Sequence, residues 1–270
     1  MSDNGLSRRQ YITTVGGTAV TLSVAGCSGD SGNGGGGSTG DDAGEQTITA
    51  GTAPGFPPFE MMQDGELVGF DIDLLEAVIG QTDYTLSGWE QFEFDSLIPA
   101  LMNNNIDVIA AGMTINADRD ETIDFTDPYY TSNQAIVVRT DGDFSPESLS
   151  DLADRPIGAQ SGTTGEGVVQ DELIGDEITE SQYNAYGNYV LAIEDLENGN
   201  IDAVMIDVPV AETFAANRPV EVSFVYETGE QFGFGVRTDA DDLTSALNDG
   251  LSTVRDDGTY QDLTGEWFGE

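Results

Sequence analysis

The 270-residue chain contains no histidine, no lysine and a single cysteine, Cys27. Without histidine, neither a Ser-His-Asp triad nor a histidine metal site can form. Without lysine, a phosphate-binding loop of the form G-x-x-x-x-G-K-[ST] is excluded. Cys27 cannot form an intrachain disulfide because it has no second cysteine to pair with. The sequence therefore predicts no catalytic residue, no cofactor and no metal ion.

Positive charge is also scarce, since 8 basic residues stand against 50 acidic ones and give a formal net charge of -42. From Cys27 onward the chain keeps 49 acids and 6 arginines, a net charge of -43. Such self-repulsion opposes compaction at ordinary ionic strength, yet 38% of the residues are hydrophobic, enough for a core. At 1 M salt the Debye length is only ~3 Å. The composition therefore predicts a halophile's surface, of haloarchaeal type, and the lack of a basic patch excludes nucleic acid as a partner.

Residues 1–27 carry the pattern of an export signal. An arginine pair, Arg8 and Arg9, precedes an apolar stretch over residues 12–24 that ends in A-G-C at Cys27. That stretch is shorter than the roughly 20 residues of a membrane-spanning helix, so the pattern indicates twin-arginine export. The ending resembles a lipobox, which implies a lipid anchor on Cys27 at the extracellular face of the cell membrane. The alternative is a free thiol in a cleaved signal.

Residues 28–46 are rich in Gly, Ser and Asp and predict a flexible tether. A short strand pattern near residue 47 marks the start of the folded part. About 220 residues follow, which is enough for one large domain or two small ones.

An internal repeat indicates two similar α/β lobes. Residues 97–112 read L-I-P-A-L-M-N-N-N-I-D-V-I-A-A-G, and residues 192–207 read A-I-E-D-L-E-N-G-N-I-D-A-V-M-I-D. Each copy predicts a helix, an Asn-rich stop and a buried strand. A helix over 71–79, and a strand over 156–160 that turns into a helix at 161–165, accompany them. Alternating strands and helices predict parallel sheets with helices on both faces, unless the repeat is a chance likeness of two common units.

Ligands of open parallel sheets bind beyond the carboxyl ends of the strands. The first repeat's strand ends at residues 112–114, the second at Asp207, and the strand over 157–160 at residues 161–165. If two lobes face each other, these three strand ends line one cleft.

Four polar residues near the strand ends are candidate ligand contacts. Arg119 can hold a carboxylate with two parallel hydrogen bonds, unless it pairs with the acids beside it on the surface. Thr163 and Thr164 stand at a predicted helix N-terminus, which favours anions, unless they only cap that helix. Asp207 can accept hydrogen bonds from an ammonium group, unless it caps the next helix or is simply one more acid.

Two phenylalanines stand in loop-like settings. Phe56 lies in G-F-P-P-F and Phe94 in E-F-D-S-L. Burial in a core is the usual state of phenylalanine, whereas aromatic residues in loops often mark binding sites. The residues alone leave both interpretations open.

Over nearly all of residues 47–270 the chain resembles the polar amino-acid-binding proteins of ABC importers, the solute-binding proteins of family 3. The resemblance rests on the order and spacing of six segments: P-P-F-E at 57–60, L-V-G-F-D-I-D-L-L at 67–75, L-I-P-A-L at 97–101, A-G-M-T-I at 111–115 with Arg119, D-F-T-D-P-Y-Y at 124–130, and G-T-Y to W-F-G at 258–269. It implies a two-lobed α/β fold of the periplasmic-binding-protein-like type II, in which each lobe is a sheet flanked by helices.

The resemblance also implies domain boundaries. Lobe 1 would comprise residues 47–133 and 231–270, and lobe 2 residues 134–230. Two crossovers, near 133–135 and 229–231, would form the hinge.

The ligand contacts that the resemblance implies fall on nine residues: the carboxylate-binding Arg119 with Gly112 and Thr114 beside it, the lobe 2 loop residues Ser161, Thr163 and Thr164, the ammonium-binding Asp207, and the aromatic walls Phe56 and Phe94. The implied function is a non-enzymatic, monomeric receptor that binds a polar amino acid and delivers it to an ABC permease in the membrane. The alternative is a cyclohexadienyl (prephenate or arogenate) dehydratase-like enzyme on the same fold.

The sequence leaves the identity of the amino acid open. Several family members specific for basic or amide side chains carry an acidic residue at the place of Ala53, and glutamine binders can carry a lysine at the place of Gln160. Glu93, beside Phe94, is another acidic candidate for contact with the ligand side chain.

Overall fold

Strands and helices alternate along residues 46–269, which are the residues that the computed structural model describes. The strands are β1 (Gln46–Thr52), β2 (Met61–Gln63), β3 (Glu66–Val68), β4 (Tyr84–Gln91), β5 (Val108–Ile109), β6 (Asp124–Phe125), β7 (Tyr130–Arg139), β8 (Ile157–Gln160), β9 (Tyr183–Tyr186), β10 (Ala203–Asp207), β11 (Val220–Phe232) and β12 (Gly235–Val236). The α-helices are α1 (Phe70–Ile79), α2 (Leu97–Met102), α3 (Ala117–Asp120), α4 (Thr164–Val168), α5 (Tyr189–Glu197), α6 (Val208–Asn217), α7 (Asp241–Asp256) and α8 (Thr259–Phe268). The predicted export signal, the anchor at Cys27 and all but the last residue of the tether lie outside the described residues.

Two five-stranded sheets form the centres of two lobes. The first has the strand order β4-β1-β5-β12-β6 and belongs to lobe 1, and the second has the order β11-β7-β10-β8-β9 and belongs to lobe 2. Parallel pairing joins β4, β1 and β5 in one sheet and β10, β8 and β9 in the other. The expectation of wholly parallel sheets is wrong, because β12 and β7 pair antiparallel with their neighbours. A parallel pair requires a long crossover connection, whereas an antiparallel pair does not. The antiparallel strands near the lobe boundary can therefore lead from one sheet to the other through short connections.

The repeated segments form equivalent units in the two lobes. In the first copy α2 buries Leu97, Ala100 and Leu101 and leads to β5, and in the second α5 buries Ala192, Ile193 and Leu196 and leads to β10. The first strand is shorter than the apolar run over 106–111 predicts, since β5 contains only two residues. The chain then turns at Gly112, whose φ of +53° lies in the left-handed region.

The lobes are connected by two long antiparallel strands, β7 and β11. Their pairing is interrupted, because Tyr226 opposes Gln134 and the next paired residue, Glu230, opposes Ser132. Residues 227–229 bulge out between them. Asn133 holds the bulge, since its Oδ1 accepts hydrogen bonds from the backbone N–H groups of Thr228 at 3.0 Å and Gly229 at 2.8 Å. Residues 133–135 and 229–231, where the crossovers are expected, lie in β7 and β11 beside this bulge.

An aromatic cluster fixes the loop that carries Phe56. Phe59 is fully buried and its ring centre lies 5.1 Å from that of Tyr130 and 5.3 Å from that of Phe232, at the ends of the two crossover strands. Phe268 on α8 stacks on Tyr130 at 4.9 Å. The 57–60 turn is therefore held against the hinge.

Within residues 46–269 no helix has both the length and the apolar character needed to cross a bilayer.

Candidate ligand site

An enclosed cavity lies between the two lobes and takes its walls from both. Lobe 1 contributes Ala53, Phe56, Glu60, Phe94, Ala111, Gly112, Thr114 and Arg119, and lobe 2 contributes Gln160, Thr163, Thr164 and Asp207. The structure thus brings together eight of the nine candidate residues. Ser161 is the exception: it is half-buried, its backbone N–H donates to the carbonyl of Tyr186 at 2.9 Å, and it does not line the cavity.

Arg119 lies on the short helix α3, where the side chain of Asn116 caps the helix by accepting the Arg119 backbone N–H at 2.9 Å. The residue is only 9% exposed. Nη1 donates to the carbonyl of Thr114 at 2.7 Å, and Nη2 donates across the cleft to the carbonyl of Gly162 at 2.8 Å. The guanidinium carbon also lies 5.3 Å from the ring centre of Phe94. Burial lowers the pKa of Arg119 to about 10, although the negative charges of Glu230 and Asp207 act to raise it.

The surface ion pair considered for Arg119 does not form. The acids beside it in the sequence, Asp118, Asp120 and Glu121, are exposed, whereas Arg119 is buried. No salt bridge joins Arg119 to another residue of the described part of the chain. A buried guanidinium that donates only to carbonyl oxygens is able to take up a carboxylate.

Two threonine hydroxyls meet across the cavity. Thr164 Oγ1 donates to Thr114 Oγ1 at 2.8 Å, and Thr114 Oγ1 donates to Glu230 Oε2 at 2.6 Å. Thr163 has a different role, because it caps α4: its Oγ1 accepts the backbone N–H of Glu166 at 3.2 Å and donates to the carbonyl of Gln160 at 2.7 Å. The capping alternative therefore holds for the hydroxyl of Thr163, whereas the hydroxyl of Thr164 bonds across the cavity to Thr114.

Asp207 stands at the end of β10 and is 4% exposed. It occupies the N-cap position of α6 without forming a side-chain cap, and its Oδ1 has no hydrogen-bond partner among the described residues. The capping alternative thus does not hold for Asp207. Burial raises its pKa well above the ordinary value and the negative charge of Glu230 raises it further, while hydrogen bonds from Gln134 and Ser132 lower it. Such a carboxylate is a ready partner for a cation.

Gly112 allows a close approach that any side chain would prevent. Its backbone N–H donates to Asp71 Oδ2 at 2.7 Å, and the same oxygen accepts the hydroxyl of Tyr129 at 2.5 Å. A Cβ added at Gly112 would lie 2.6 Å from Cε1 of Phe56. Phe56 and Phe94 are both buried and both line the cavity, so they are core residues and cavity walls at once.

Glu60 is the wall residue that sequence reasoning missed. It is fully buried, and neither carboxylate oxygen has a partner among the described residues. Its backbone is pinned to Phe56, since Phe56 N–H donates to the Glu60 carbonyl at 3.0 Å and Glu60 N–H to the Phe56 carbonyl at 3.1 Å. Burial raises the pKa of Glu60 well above its ordinary value, and the charges of Asp71 and Asp207 raise it further. The signal was its place directly after P-P-F, which is easily overlooked in a chain with 50 acids.

Of the two remaining candidates for side-chain specificity, Gln160 lies in the cavity wall and Glu93 does not. Gln160 is 4% exposed and lines the cavity, with Nε2 donating to the carbonyl of Gly187 at 3.2 Å. Glu93 is exposed and is not a wall residue. In residues 46–269 no group of three or more acidic, histidine or cysteine side chains is arranged to hold a metal ion. A guanidinium and two carboxylates around one small cavity suit a molecule that carries both anionic and cationic groups.

Comparison with known proteins agrees with this geometry. Residues 48–270 match the model of the bacterial extracellular solute-binding proteins, family 3. A probable histidine-binding protein of Campylobacter jejuni is 34% identical over 220 residues, which cover 80% of this chain and 83% of that protein. The ABC transporter arginine-binding protein 1 of Escherichia coli is 33% identical over 230 residues, covering 83% and 91%. The solved structure of an ancestral arginine-binding protein bound to glutamine is 36% identical with a TM-score of 0.77, covering 84% of this chain and 99% of that one.

Proposed function

Because the chain belongs to family 3 of the bacterial extracellular solute-binding proteins, we propose that it captures a cationic amino acid outside the cytoplasm for an ABC importer. One of its relatives is named as an arginine-binding protein of an ABC transporter. The choice of a cationic ligand rests on one observation, the charge balance of the cavity walls.

Three ionisable side chains line the cavity: Arg119, Asp207 and Glu60. The carboxylate of an amino acid pairs with Arg119 and its ammonium group with Asp207, through charge-assisted hydrogen bonds. Glu60 then remains as a buried acid without a partner, and a buried unpaired charge is costly. A ligand with a cationic side chain supplies the missing partner, whereas a neutral side chain forces Glu60 to keep its proton. Glu60 thus provides the acidic contact that Ala53 lacks.

The names of the relatives support a cationic ligand and define its competitor. Two of them are named for binding histidine and arginine, and the ancestral arginine-binding protein was solved with glutamine bound. Glutamine and arginine share their α-groups and differ in side-chain charge. The charge on Glu60 is therefore the property to test.

Calorimetry on the full chain in molar KCl tests the proposal with arginine, histidine, glutamine and citrulline, the neutral analogue of arginine. We expect arginine to bind at least tenfold more tightly than citrulline, a difference of about 1.4 kcal/mol. Glu60→Gln should reduce that preference, whereas the matched control Glu93→Gln, at an exposed acid outside the cavity, should leave it unchanged. Equal or tighter binding of citrulline or glutamine would contradict the cationic assignment.

The dehydratase alternative is less supported, because the matched relatives are named as binding proteins. Incubation of the protein with prephenate or arogenate tests it directly. The binding-protein proposal expects no aromatic product, and enzyme-dependent formation of one would favour the alternative.

We further propose that the protein is exported by the twin-arginine route in a haloarchaeal setting and held by a lipid on Cys27. The tether over 28–46 would then carry two lobes, 47–133 with 231–270 and 134–230, that act as a monomer. Replacing Arg8 and Arg9 by Lys should block export. Cys27→Ser should release the protein or leave it unprocessed, because the tether has no membrane affinity of its own. Fractionation that finds the Cys27→Ser protein still bound to membranes would remove the lipid from this account.

A further inference from the structure

A buried carboxylate at the hinge, that of Glu230, connects the cavity wall to both crossover strands. Its Oε2 accepts the hydroxyl of Thr114 at 2.6 Å. Its Oε1 accepts Nε2 of Gln134 at 2.7 Å and the hydroxyl of Thr228 at 3.0 Å. Glu230 and Thr228 lie on β11, Gln134 lies on β7, and Thr114 lines the cavity. One side chain is therefore bonded to the wall and to both strands of the hinge.

The bond to Glu230 determines the direction of the Thr114 hydroxyl. A hydroxyl has one proton to donate, and Thr114 donates it to Glu230 Oε2. Because Thr114 gives its proton to Glu230, its two lone pairs are left to accept hydrogen bonds, and one of them accepts the hydroxyl of Thr164 at 2.8 Å. Thr114 is thus set as a hydrogen-bond acceptor on the cavity wall.

The Glu230–Gln134 bond joins the two crossover strands across the bulge, at the boundary between the lobes. Glu230 follows the bulge, next to Gln231, whose carbonyl accepts the backbone N–H of Ile115 at 2.8 Å and so ties this end to the Thr114 segment of lobe 1. Gln134 lies on β7, on the lobe 2 side of the bulge, where it is paired in the sheet with Asp207. The bond therefore spans the bulge, the place where the pairing of the two strands is interrupted.

Gln134 also places this junction beside Asp207. The two residues are paired in the sheet of lobe 2, and Gln134 acts to lower the pKa of Asp207. Nε2 of Gln134 donates to Glu230 Oε1, while its Oε1 is buried and has no partner among the described residues. Side-chain hydrogen bonds therefore run from Thr114 through Glu230 to Gln134, which is the strand neighbour of Asp207.

We propose that Glu230 is a positioning residue that holds Thr114 as an acceptor for the ligand and couples this contact to the angle of the hinge. The inference rests on the proposed function of the cavity as an amino-acid site. When the lobes turn about the bulge, Gln134 moves relative to Thr114, so Glu230 keeps both bonds in only one arrangement of the lobes. Binding at the Thr114 wall and closure of the lobes are then linked through this carboxylate.

Calorimetry with arginine on the full chain in molar KCl tests the proposal through four variants: Glu230→Gln, Thr114→Val, the double variant, and the matched control Glu227→Gln. A glutamine at position 230 keeps the shape but offers one acceptor oxygen instead of two. We expect at least tenfold weaker binding for Glu230→Gln and for Thr114→Val. The double variant should bind no more weakly than the weaker single variant, because Glu230 acts through Thr114. Glu227 is exposed in the same bulge, so Glu227→Gln should bind as the unmodified chain does.

A second measurement separates positioning from a structural role. Small-angle scattering at saturating arginine should show a smaller decrease in radius of gyration for Glu230→Gln than for the unmodified chain, with equal urea midpoints of the ligand-free proteins. If Glu230→Gln does not fold, Glu230→Asp replaces it in the test. This variant draws the carboxylate back by one methylene, and we expect it to bind arginine more weakly than the unmodified chain does. Unchanged affinity, or losses that add in the double variant, would overturn the inference while arginine binding by the unmodified chain still stands. If the unmodified chain binds no amino acid at all, the proposed function fails and this inference fails with it.

Discussion

Arg139 in lobe 2 and Arg237 in lobe 1 make the same contacts with the two copies of the repeated Asn-Ile-Asp segment. Each guanidinium donates to an isoleucine carbonyl and to the carboxylate of the aspartate that follows. For Arg237 these partners are Ile106 at 2.8 Å and Asp107 at 3.0 Å, and for Arg139 they are Ile201 at 2.8 Å and Asp202 at 3.5 Å. The two arginines therefore tie the turn after a helix to the sheet in the same way in each lobe.

Replacing either arginine should destabilise the fold. Arg237→Ala leaves the Ile106 carbonyl without its donor and Asp107 without its cation, and a partly buried group left unpaired costs about 1–3 kcal/mol. Arg139→Ala should act similarly. Arg155 is the control, since it is 45% exposed, pairs with the carboxylate of Asp202 at 3.2 Å and lies 4.3 Å from the ring centre of Phe144, so Arg155→Ala should cost less than about 1 kcal/mol. Urea midpoints at constant molar KCl measure these differences, and equal losses for Arg155→Ala and Arg237→Ala would refute the argument.

The repeat also shows what the sequence could predict. Helices α2 and α5 and strand β10 were predictable because apolar residues recur at helical spacing or in a run, and polar residues interrupt them. The arginines that bind the repeats were not predictable, because Arg139 ends β7 and Arg237 follows β12, both distant in sequence from the segments they bind. The antiparallel strands were missed for a related reason, since local periodicity carries no information on strand direction.

The candidate site was predictable to the extent that it depends on strand ends. Thr114, Thr164 and Asp207 follow strands whose carboxyl ends meet at the cleft, and the resemblance placed Arg119 beside them. Glu60 was missed because its importance comes from burial without a partner, which composition does not show.

Loss of the buried guanidinium should abolish amino-acid binding. Arg119→Ala removes a two-pronged contact with the ligand carboxylate and should cost at least ~2 kcal/mol, the scale of a truncated buried charge pair. Arg119→Lys is the informative control, because it keeps the charge but loses the planar fork, and it should bind detectably but weakly. Calorimetry that finds an unchanged affinity in Arg119→Ala would remove this residue from the site.

Binding of a cationic amino acid should release protons. Burial raises the pKa of Glu60 and of Asp207 in the ligand-free protein, and a bound cation favours the carboxylate and so lowers both pKa values. Affinity should therefore increase with pH, from the ordinary acid range up to the raised pKa values, and level off above them. Calorimetry in two buffers of different ionisation enthalpy counts the protons, and Glu60→Gln should release fewer. Proton uptake, or an affinity that falls as pH rises, would contradict the assignment.

The fold should depend on salt. The net charge of -42 leaves most acids without a cation, and only at high ionic strength is their repulsion screened within a few ångströms. We expect dilution from 3 M to about 0.05 M NaCl to unfold the protein. Circular dichroism across the series follows the transition, with KCl at equal ionic strength expected to act alike. A spectrum that is unchanged at the lowest salt concentration would show that the acidic surface does not require screening.

A bound amino acid should favour the closed arrangement of the lobes. Thr114 and Arg119 lie on lobe 1, whereas Thr164 and Asp207 lie on lobe 2, so a ligand that bridges these pairs contacts both only when the cleft is closed. A ligand stabilises whichever state it binds more tightly. The lobes also touch directly, through Arg119 and the Gly162 carbonyl at 2.8 Å, and a ligand carboxylate that takes this guanidinium replaces the direct contact with a bridge.

The radius of gyration of the full chain should therefore decrease when arginine is added, and small-angle scattering in molar KCl measures it. Arg119→Ala should remain folded but show no decrease, because the ligand can no longer bridge the lobes. As a control, lysine is added at the same concentration to the Arg119→Ala protein. This measurement gives the effect of an added cation on the scattering when the ligand cannot bridge the lobes. Identical curves with and without a ligand that calorimetry shows to be bound would mean that the two lobes do not close around it.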